Sequence, residues 1–299
     1  MSTVEVVTLQ RRNDRLRRRR IVNRAMEFLA WLAAAVAVAI LGIVVWSVAR
    51  RGAGAVSLDL FTKPQVPYAA ADVPQGLSNA FVGSLVIVGV ATAMALPIGI
   101  LVAIYVNEFA PRTIRNGLGL VLDVLNGIPA IVIGVFVFGL LVIAHGQSAL
   151  SGSLALAVLM LPLVARATIE MLALVPNSLR EASLGLGVPR WRTTLSIVLP
   201  QTIGGILTGT TLAVARIAGE TAPLLFTSSL VGNGTSWNPL QALQTVPVAI
   251  FELSESYDPA DHARAWAAAL VLLVFVLLTS LGARWLATRS RRKLTGDAR

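Results

Sequence analysis

Residues 181–200 read EASLGLGVPRWRTTLSIVLP, a polar stretch between two long apolar runs. The pattern predicts a short helix, a glycine turn and a second helix that enters a membrane. Glu181 lies near the start of the first helix, where the helix dipole favours a carboxylate. Gly187 lies where a reversal of the chain would need a positive φ angle. Pro200 is expected in the first turns of the second helix, where a missing N–H does least harm.

Apolar runs long enough to cross a bilayer lie on both sides of this stretch and recur along the chain. We therefore expect an all-α, polytopic membrane protein with about six transmembrane helices. Prolines interrupt four of the runs, which favours a bundle that encloses a pathway, although kinks without function are the alternative. The runs are residues 28–49, 79–106, 117–144, 149–175, 197–225 and 263–287, and the prolines are Pro97, Pro129, Pro162 and Pro223.

The composition and the placement of charge agree with a membrane protein. Hydrophobic residues make up 56% of the chain and charged residues 13%, whereas soluble domains carry about 25% charged residues. With the N-terminus inside, the inner segments hold 19 of the 25 Lys and Arg residues, so both termini are expected in the cytoplasm. The two basic ends flank apolar runs, and we interpret them as anchors for anionic lipid and not as a nucleic-acid interface.

Residues that several kinds of chemistry require are missing from the sequence. It contains no cysteine, and neither Lys63 nor Lys293 belongs to a Gly-rich phosphate-binding loop. His145 and His262 are far apart and fit neither a metal site nor a catalytic triad. We therefore expect no enzyme activity, no cofactor site and no metal site in this chain, and any ATP would bind to a partner.

The stretch 181–200 resembles the EAA loop of binding-protein-dependent importer permeases. The family pattern is Glu-Ala-Ala, three residues, Gly, nine residues and Ile-x-Leu-Pro, and Ser183 in place of the second alanine is the one departure. The resemblance implies a type I ABC importer permease fold in which residues 177–200 form a coupling loop that docks onto an ATPase subunit. The matching positions, which would carry this coupling, are Glu181, Ala182, Gly187, Ile197, Leu199 and Pro200.

Other segments are similar to PstA, the phosphate permease branch of that family. Residues 212–227 resemble its fifth-helix signature and residues 127–134 its third-helix segment. The resemblance implies a plasma-membrane permease that forms and gates a path for inorganic phosphate. Its partners would be a homologous PstC-like permease, a PstB-like ATPase dimer that binds ATP and Mg²⁺, and an external PstS-like phosphate-binding protein.

We accordingly expect four parts in the chain. These are a basic cytoplasmic tail at 1–27, a first transmembrane helix at 28–49, a permease core at 75–287 and a second basic tail at 288–299. The binding protein would deliver substrate to the outer loops, including the segment from Asn233 to Leu253.

Two charged residues inside the fifth run are candidates for the pathway. Arg216 and Glu220 are four residues apart, so we expect them on one helical face. A charge inside a bilayer is costly and normally faces a cavity or a partner. Because a guanidinium suits bidentate contact with a tetrahedral oxyanion, our hypothesis is that Arg216 lines the anion pathway and Glu220 holds or releases it. A static intrahelical pair is the alternative.

Other intramembrane polar residues are weaker candidates. Arg166 and Glu170 form a second pair with this spacing, and we expect them to brace the coupling loop or to reach the interface. Asp123 and Asn126 precede the bend at Pro129 and are secondary candidates for the pathway.

Two other functions remain open from the sequence. A permease of the same architecture could carry another oxyanion, such as sulfate or molybdate. An ion-coupled secondary transporter or a membrane-embedded enzyme would need catalytic or proton-relay residues, and the apolar runs contain few of them.

Overall fold

The computed structural model describes residues 3–66, 75–230 and 234–294, and side chains within 17–66, 75–230 and 234–285. Helices dominate these ranges, and no strand occurs in them. The chain divides into two compact units, residues 1–51 and 52–299. Helix α1, Thr3–Gly52, makes up the first unit, and its part from Arg17 onward is apolar enough to cross a membrane.

The second unit is a helical bundle that contains the remaining elements. Short helices at three points join the longer ones. In chain order the helices are α2 (Leu58–Thr62), α3 (Ser78–Phe109), α4 (Arg112–Gly127), α5 (Ala130–His145), α6 (Ala149–Ala173), α7 (Asn177–Gly185), α8 (Arg190–Ile217), α9 (Leu224–Thr227), α10 (Val246–Ser254) and α11 (Pro259–Leu294).

Helices α3 and α6 run side by side in the same direction and form the centre of the unit. The Ser153 hydroxyl donates to the Ile87 carbonyl over 3.1 Å. A Cβ on Gly99 would lie 3.0 Å from a methyl group of Val164. Small residues allow this close packing, as is common between membrane helices. Pro97 and Pro162 lie inside these two helices, as the sequence predicted.

Helix α8 packs against α6 in the opposite direction. A Cβ on Gly209 would lie 2.6 Å from the Cβ of Ala167, so the glycine is what permits the contact. Gly205 makes a similar close approach to Met171. These two contacts define how residues of α8 and α6 line up along the antiparallel pair. Extending the same alignment towards the end of α8 places Arg216 beside Met160, near the middle of α6.

The predicted third run at 117–144 consists of two helices, α4 and α5, with the break at its proline. Five described helices could cross a membrane, or six if α4 and α5 count as one broken span, because these two helices meet at 94°. The break lies at Ile128 and Pro129, which separate the two helices. Proline cannot donate a helical hydrogen bond and disfavours helical backbone in the residue before it, so α4 stops at Gly127.

The predicted fifth run, 197–225, differs from the structure at its end. Helix α8 begins at Arg190 and ends at Ile217. Its regular α-helical part is Leu199–Ile217, and Pro200 lies in the first turn of that part, as predicted. A π turn at Thr194–Val198 precedes it, closed by the Leu199 N–H on the Thr194 carbonyl. This wider turn changes the hydrogen-bond register where proline has no N–H to contribute.

Candidate coupling hairpin and substrate pathway

Helix α7 and the first turns of α8 form a helical hairpin, which we call the coupling hairpin. Its turn contains Gly187 with φ +79°, so the predicted positive φ angle is confirmed. The Gly187 N–H donates to the Leu184 carbonyl over 2.9 Å, and the Val188 N–H donates to the Ser183 carbonyl over 3.2 Å. These bonds satisfy carbonyls at the end of α7, as glycine helix caps do.

A buried hydroxyl pair joins the two arms of the coupling hairpin. The Ser183 and Thr193 side-chain oxygens lie 2.9 Å apart, and both residues are buried. Ser183 is the position that departs from the Glu-Ala-Ala pattern. The departure therefore adds a hydrogen bond between α7 and α8, and alanine at this position could not make it.

The tip of the hairpin exposes apolar and charged side chains. Leu186 is 84% exposed, and Trp191 is 54% exposed. Glu181, Ala182 and Gly187 are also exposed. A group of exposed apolar side chains on a rigid turn is typical of a surface that contacts another protein.

The six predicted coupling residues do not form one surface. Glu181, Ala182 and Gly187 lie at the hairpin tip, whereas the other three lie further along α8. Ile197 and Leu199 are half-buried. Sequence reasoning passed over Leu186 and Trp191, although two large apolar residues in an otherwise polar loop were a usable signal.

An ion pair anchors the coupling hairpin to the bundle. Arg180 of α7 contacts the Glu108 carboxylate at the end of α3 through two nitrogens, at 2.8 and 3.1 Å. Arg180 also donates to the Leu172 and Val175 carbonyls near the end of α6, at 2.8 and 2.5 Å. The side chains of Arg180 and Glu108 are 17% and 8% exposed. One arginine thus joins the hairpin to two long helices.

Arg180→Gln is expected to destabilise the protein by about 3–5 kcal/mol, because removing one partner leaves a buried charge uncompensated. Thermal unfolding of the detergent-solubilised protein measures the effect, and Arg112→Gln, which removes an exposed arginine of α4, is the control. The double variant Glu108→Gln/Arg180→Gln should recover part of the loss. Equal melting temperatures for Arg180→Gln and Arg112→Gln would contradict the anchoring role.

The chain beyond the end of α8 packs against α5. Helix α8 ends at Ile217, and residues 218–223 connect it to α9. A Cβ on Gly134 of α5 would lie 2.6 Å from the Pro223 Cα, so this glycine lets the connecting segment touch α5. Non-helical backbone at membrane depth occurs where protein buries it or where it lines a cavity. This region is therefore the candidate substrate pathway.

Arg216 and Glu220 were predicted to share one helical face, but the helix ends before Glu220. Arg216 lies in the last turn of α8, and Glu220 follows the end of that helix. Arg216 is exposed and Glu220 is half-buried. No hydrogen bond or ion pair joins the Arg216 side chain to any side chain that the structure describes. The guanidinium at a helix C-terminus is favoured by the helix dipole.

Arg166 was predicted to pair with Glu170, four residues away on the same helix. In the structure it instead forms an ion pair with a residue of another helix. Its guanidinium contacts the Asp123 carboxylate and donates to the Gly119 carbonyl, the latter over 2.7 Å. Both partners belong to α4. Arg166 therefore holds α4 against α6 next to the break, and Asp123 takes part in this contact.

A buried polar network lies between α10, the start of α3 and the segment after α2. The Gln65 and Gln244 side-chain amides donate to the same Glu252 carboxylate oxygen, over 3.2 and 2.6 Å. The Asn79 amide donates to the Gln244 carbonyl oxygen over 3.1 Å. The apolar side of α10 is buried within the bundle. Asn233, the predicted start of the receiving loop, lies outside the described residues.

Burial raises the pKa of the Glu252 carboxyl, the two amide hydrogen bonds oppose this, and nearby Asp261 raises it further. A carboxyl whose pKa is higher in the folded than in the unfolded state stabilises the fold below its ordinary pKa of about 4.3, and this stabilisation is lost as the pH rises through the folded value.

The variant Glu252→Gln is therefore expected to have a higher melting temperature than wild type at pH 7. The difference in melting temperature between the two proteins should be smaller at mildly acidic pH. The glutamine carbonyl can still accept both amide hydrogen bonds. Melting curves at the two pH values check this. Glu255→Gln, which alters an exposed carboxylate of the same segment, is the control. A lower melting temperature of Glu252→Gln at pH 7 would contradict the prediction.

Among the residues that the structure describes, no group of three or more His, Cys, Asp or Glu side chains could hold a metal ion.

Comparison with known proteins gives consistent results. Residues 95–292 match the family described as binding-protein-dependent transport system inner membrane component. The chain is 40% identical over 279 residues to the phosphate transport system permease protein PstA of Xylella fastidiosa, covering 92% of this chain and 96% of the relative. It is 38% identical over 269 residues to PstA of Haemophilus influenzae, covering 89% and 94% of the two chains.

Solved structures share the fold at low sequence identity. A chain of a bacterial alginate ABC transporter, solved with a periplasmic protein bound to an alginate pentasaccharide, aligns with a TM-score of 0.59 and 16% identity over 87% of this chain and 94% of that one. A chain of the MetNI methionine ABC transporter in an inward-facing conformation aligns with a TM-score of 0.55 and 15% identity over 71% and 93% of the two chains. These matches support the type I importer permease fold.

Proposed function

Since the chain belongs to the PstA family of phosphate transport system permeases, we propose that its coupling hairpin and helix α8 link an ATPase to a phosphate pathway. The chain is a multi-pass membrane protein and the permease subunit of an ABC phosphate importer, not an enzyme. Its partners are another permease subunit, an ATPase and a binding protein. The relatives' names favour phosphate over sulfate or molybdate, and the family excludes a secondary transporter.

The more specific assignment of partners follows from the family. A PstC-like permease completes the channel, a PstB-like dimer binds ATP and Mg²⁺, and a PstS-like protein delivers phosphate from outside. This chain binds no cofactor itself. The excess of Lys and Arg in the segments 1–27 and 288–299 favours a cytoplasmic position for both termini, on the side of anionic lipid. The hairpin lies on that same side and meets the ATPase through Glu181, Ala182 and Gly187.

One observation carries the mechanism: α8 begins in the coupling hairpin and ends beside the break that contains Glu220. At 1.5 Å per residue, Arg190 and Arg216 are roughly 40 Å apart along one helix. Its π turn at Thr194–Val198 is a point where the helix could bend. When the ATPase dimer closes and moves the hairpin, α8 transmits the displacement to Arg216.

Arg216 is the group that we assign to the transported anion. It is exposed at the end of α8 without a protein partner that the structure describes, and its fork of N–H donors matches the oxygens of phosphate. Glu220 competes with phosphate for the guanidinium and thereby holds or releases it as the bundle alternates. The protein makes and breaks no covalent bond in this cycle.

Reconstitution tests the proposed function. The chain is coexpressed with candidate permease and ATPase subunits, purified as a complex and placed in proteoliposomes with the binding protein. We expect ATP hydrolysis stimulated by the phosphate-loaded binding protein, together with uptake of labelled phosphate that excess sulfate does not compete away. A complex that forms without an ATPase subunit and still transports phosphate would overturn the proposal.

A further inference from the structure

A cavity of about 410 Å³ lies between the coupling hairpin and the neighbouring ends of α3, α4 and α6. Both arms of the hairpin contribute to its wall. Asn177 and Arg180 come from α7, Arg190 and Thr193 come from α8, and Arg115 comes from α4. None of these groups belongs to the candidate pathway around Arg216.

The charge in this cavity favours an anion. Among the residues that the structure describes, Glu108 is the only carboxylate in the wall, and Arg180 already binds its two oxygens. The three arginines of the wall are Arg115, Arg180 and Arg190, so the lining carries a net positive charge. An anion entering the cavity would therefore meet donors and no free carboxylate.

Several donors in the wall remain available. The Arg190 side chain has no hydrogen-bond or ion-pair partner among the side chains that the structure describes. Arg115 uses Nε and one terminal nitrogen on the Val106 and Asn107 carbonyls, which leaves its other terminal nitrogen. Asn177 accepts a bond from Arg180 through its oxygen, so its amide N–H groups stay free.

The backbone adds to the same preference. Helices α7 and α8 begin at Asn177 and Arg190, and neither first turn has a side-chain cap. The start of a helix carries partial positive charge and unpaired N–H groups, which favour an anion. The two helix starts support the arginines and the amide as donors.

We propose that this cavity binds inorganic phosphate from the side of the membrane that the coupling hairpin occupies, and that the bound ion restrains the hairpin. Phosphate there would contact both hairpin arms and α4 together, and this cross-link would oppose hairpin movement. Because the transporter releases phosphate on this side, binding would slow import as the product accumulates. This regulatory step rests on the proposed function, whereas the binding step does not.

Phosphate binding is measured first, on the chain assembled with its partner subunits in nanodiscs and without the binding protein, using ³²P-phosphate. We expect saturable binding, weakened about tenfold or more by Arg190→Ala, because a charge-assisted contact is lost. Asn177→Ala, which removes an exposed donor, should weaken it to a smaller extent and provides a second variant if Arg190→Ala assembles poorly.

Two controls separate this cavity from other sites. Arg192→Ala removes the same charge two residues further along, where the guanidinium lies over the Trp191 ring and outside the cavity wall. Arg216→Gln removes the arginine of the candidate pathway, so phosphate bound in the pathway should be lost while the binding that depends on Arg190 remains. Arg192→Ala should keep wild-type binding. Absence of saturable binding in the wild type, or equal affinity of wild type and Arg190→Ala, would overturn the proposal.

Uptake into proteoliposomes that contain phosphate on the hairpin side tests the regulation. The quantity compared is the fraction of uptake that internal phosphate suppresses, so a change in the basal rate does not affect it. Suppression in the wild type and its loss in Arg190→Ala are expected. An uptake rate in the wild type that internal phosphate does not reduce would overturn the regulatory step. Complete absence of uptake would instead refute the proposed function, and the binding experiment would still decide the cavity.

Discussion

Gly187→Val is expected to reduce phosphate uptake by about 5- to 30-fold while ATP hydrolysis by the complex continues without stimulation by substrate. The φ angle of Gly187 is +79°, and a side chain in this region costs about 1–2 kcal/mol, with more for a β-branched residue. No atom of the described part of the chain lies within 4 Å of an added Cβ, so the effect comes from the backbone. A turn that relaxes to negative φ would displace Leu186 and Glu181 from the ATPase contact.

The matched control is Gly185→Val, two residues earlier. Gly185 ends α7, does not have a positive φ angle, and has equally open space around an added Cβ. It should retain most of the coupled uptake. Gly187→Asn should fall between the two valine variants because asparagine tolerates the left-handed region. Full phosphate-stimulated hydrolysis and uptake by Gly187→Val would show that the turn does not transmit movement.

Arg216→Gln is expected to lower phosphate uptake by about 10- to 100-fold, which corresponds to the loss of a charge-assisted contact with the anion. Glutamine retains hydrogen-bonding capacity but loses the positive charge and the two-pronged donor geometry. Because no described side chain pairs with this guanidinium, the fold should survive the substitution. Uptake of labelled phosphate by proteoliposomes, at matched amounts of assembled complex, measures the effect.

Two further variants serve as controls for Arg216→Gln. Arg216→Lys keeps the positive charge without the two-pronged donor geometry of the guanidinium and should transport at an intermediate rate. Arg192→Gln makes the same substitution near the start of the same helix, where the arginine lies over Trp191, and should transport normally. If the folded Arg216→Gln complex transports at the wild-type rate, Arg216 has no role in the pathway. If the complex fails to assemble, Arg216 braces the bundle.

Local sequence signals predicted much of the fold correctly. Apolar runs of sufficient length gave an all-helical membrane protein, and glycine in a polar loop gave the positive φ angle at Gly187. Each of these properties depends on a few neighbouring residues and on the thickness of the bilayer. The pattern of residues 181–200 also identified the family, because its spacing reflects a helix–turn–helix with a fixed geometry.

The end of α8 could not be predicted in the same way. Gly219 and Pro223 are local signals that weaken a helix here, but they do not fix its last residue at Ile217. The helix stops there in a packed arrangement in which Pro223 contacts the backbone at Gly134. Glu220 consequently left the helical face on which a four-residue spacing would have placed it.

The choice of ionic partners was likewise beyond the sequence. Periodicity shows which side chains of one helix could meet, and it suggested Glu170 for Arg166. Packing supplied Asp123 from another helix instead, and it brought Arg180 to Glu108. Such contacts join residues that are distant along the chain, so no local pattern encodes them.

By itself, the sequence determined that this protein is a helical membrane permease with a hairpin built around Gly187, because hydrophobic length and backbone preference are local properties. Only the tertiary structure decided which charges neutralise one another and which remain available, since those outcomes depend on how helices pack. Arg180 became a buried anchor, whereas Arg190 and Arg216, the same kind of residue at the two ends of α8, have no partner among the side chains that the structure describes.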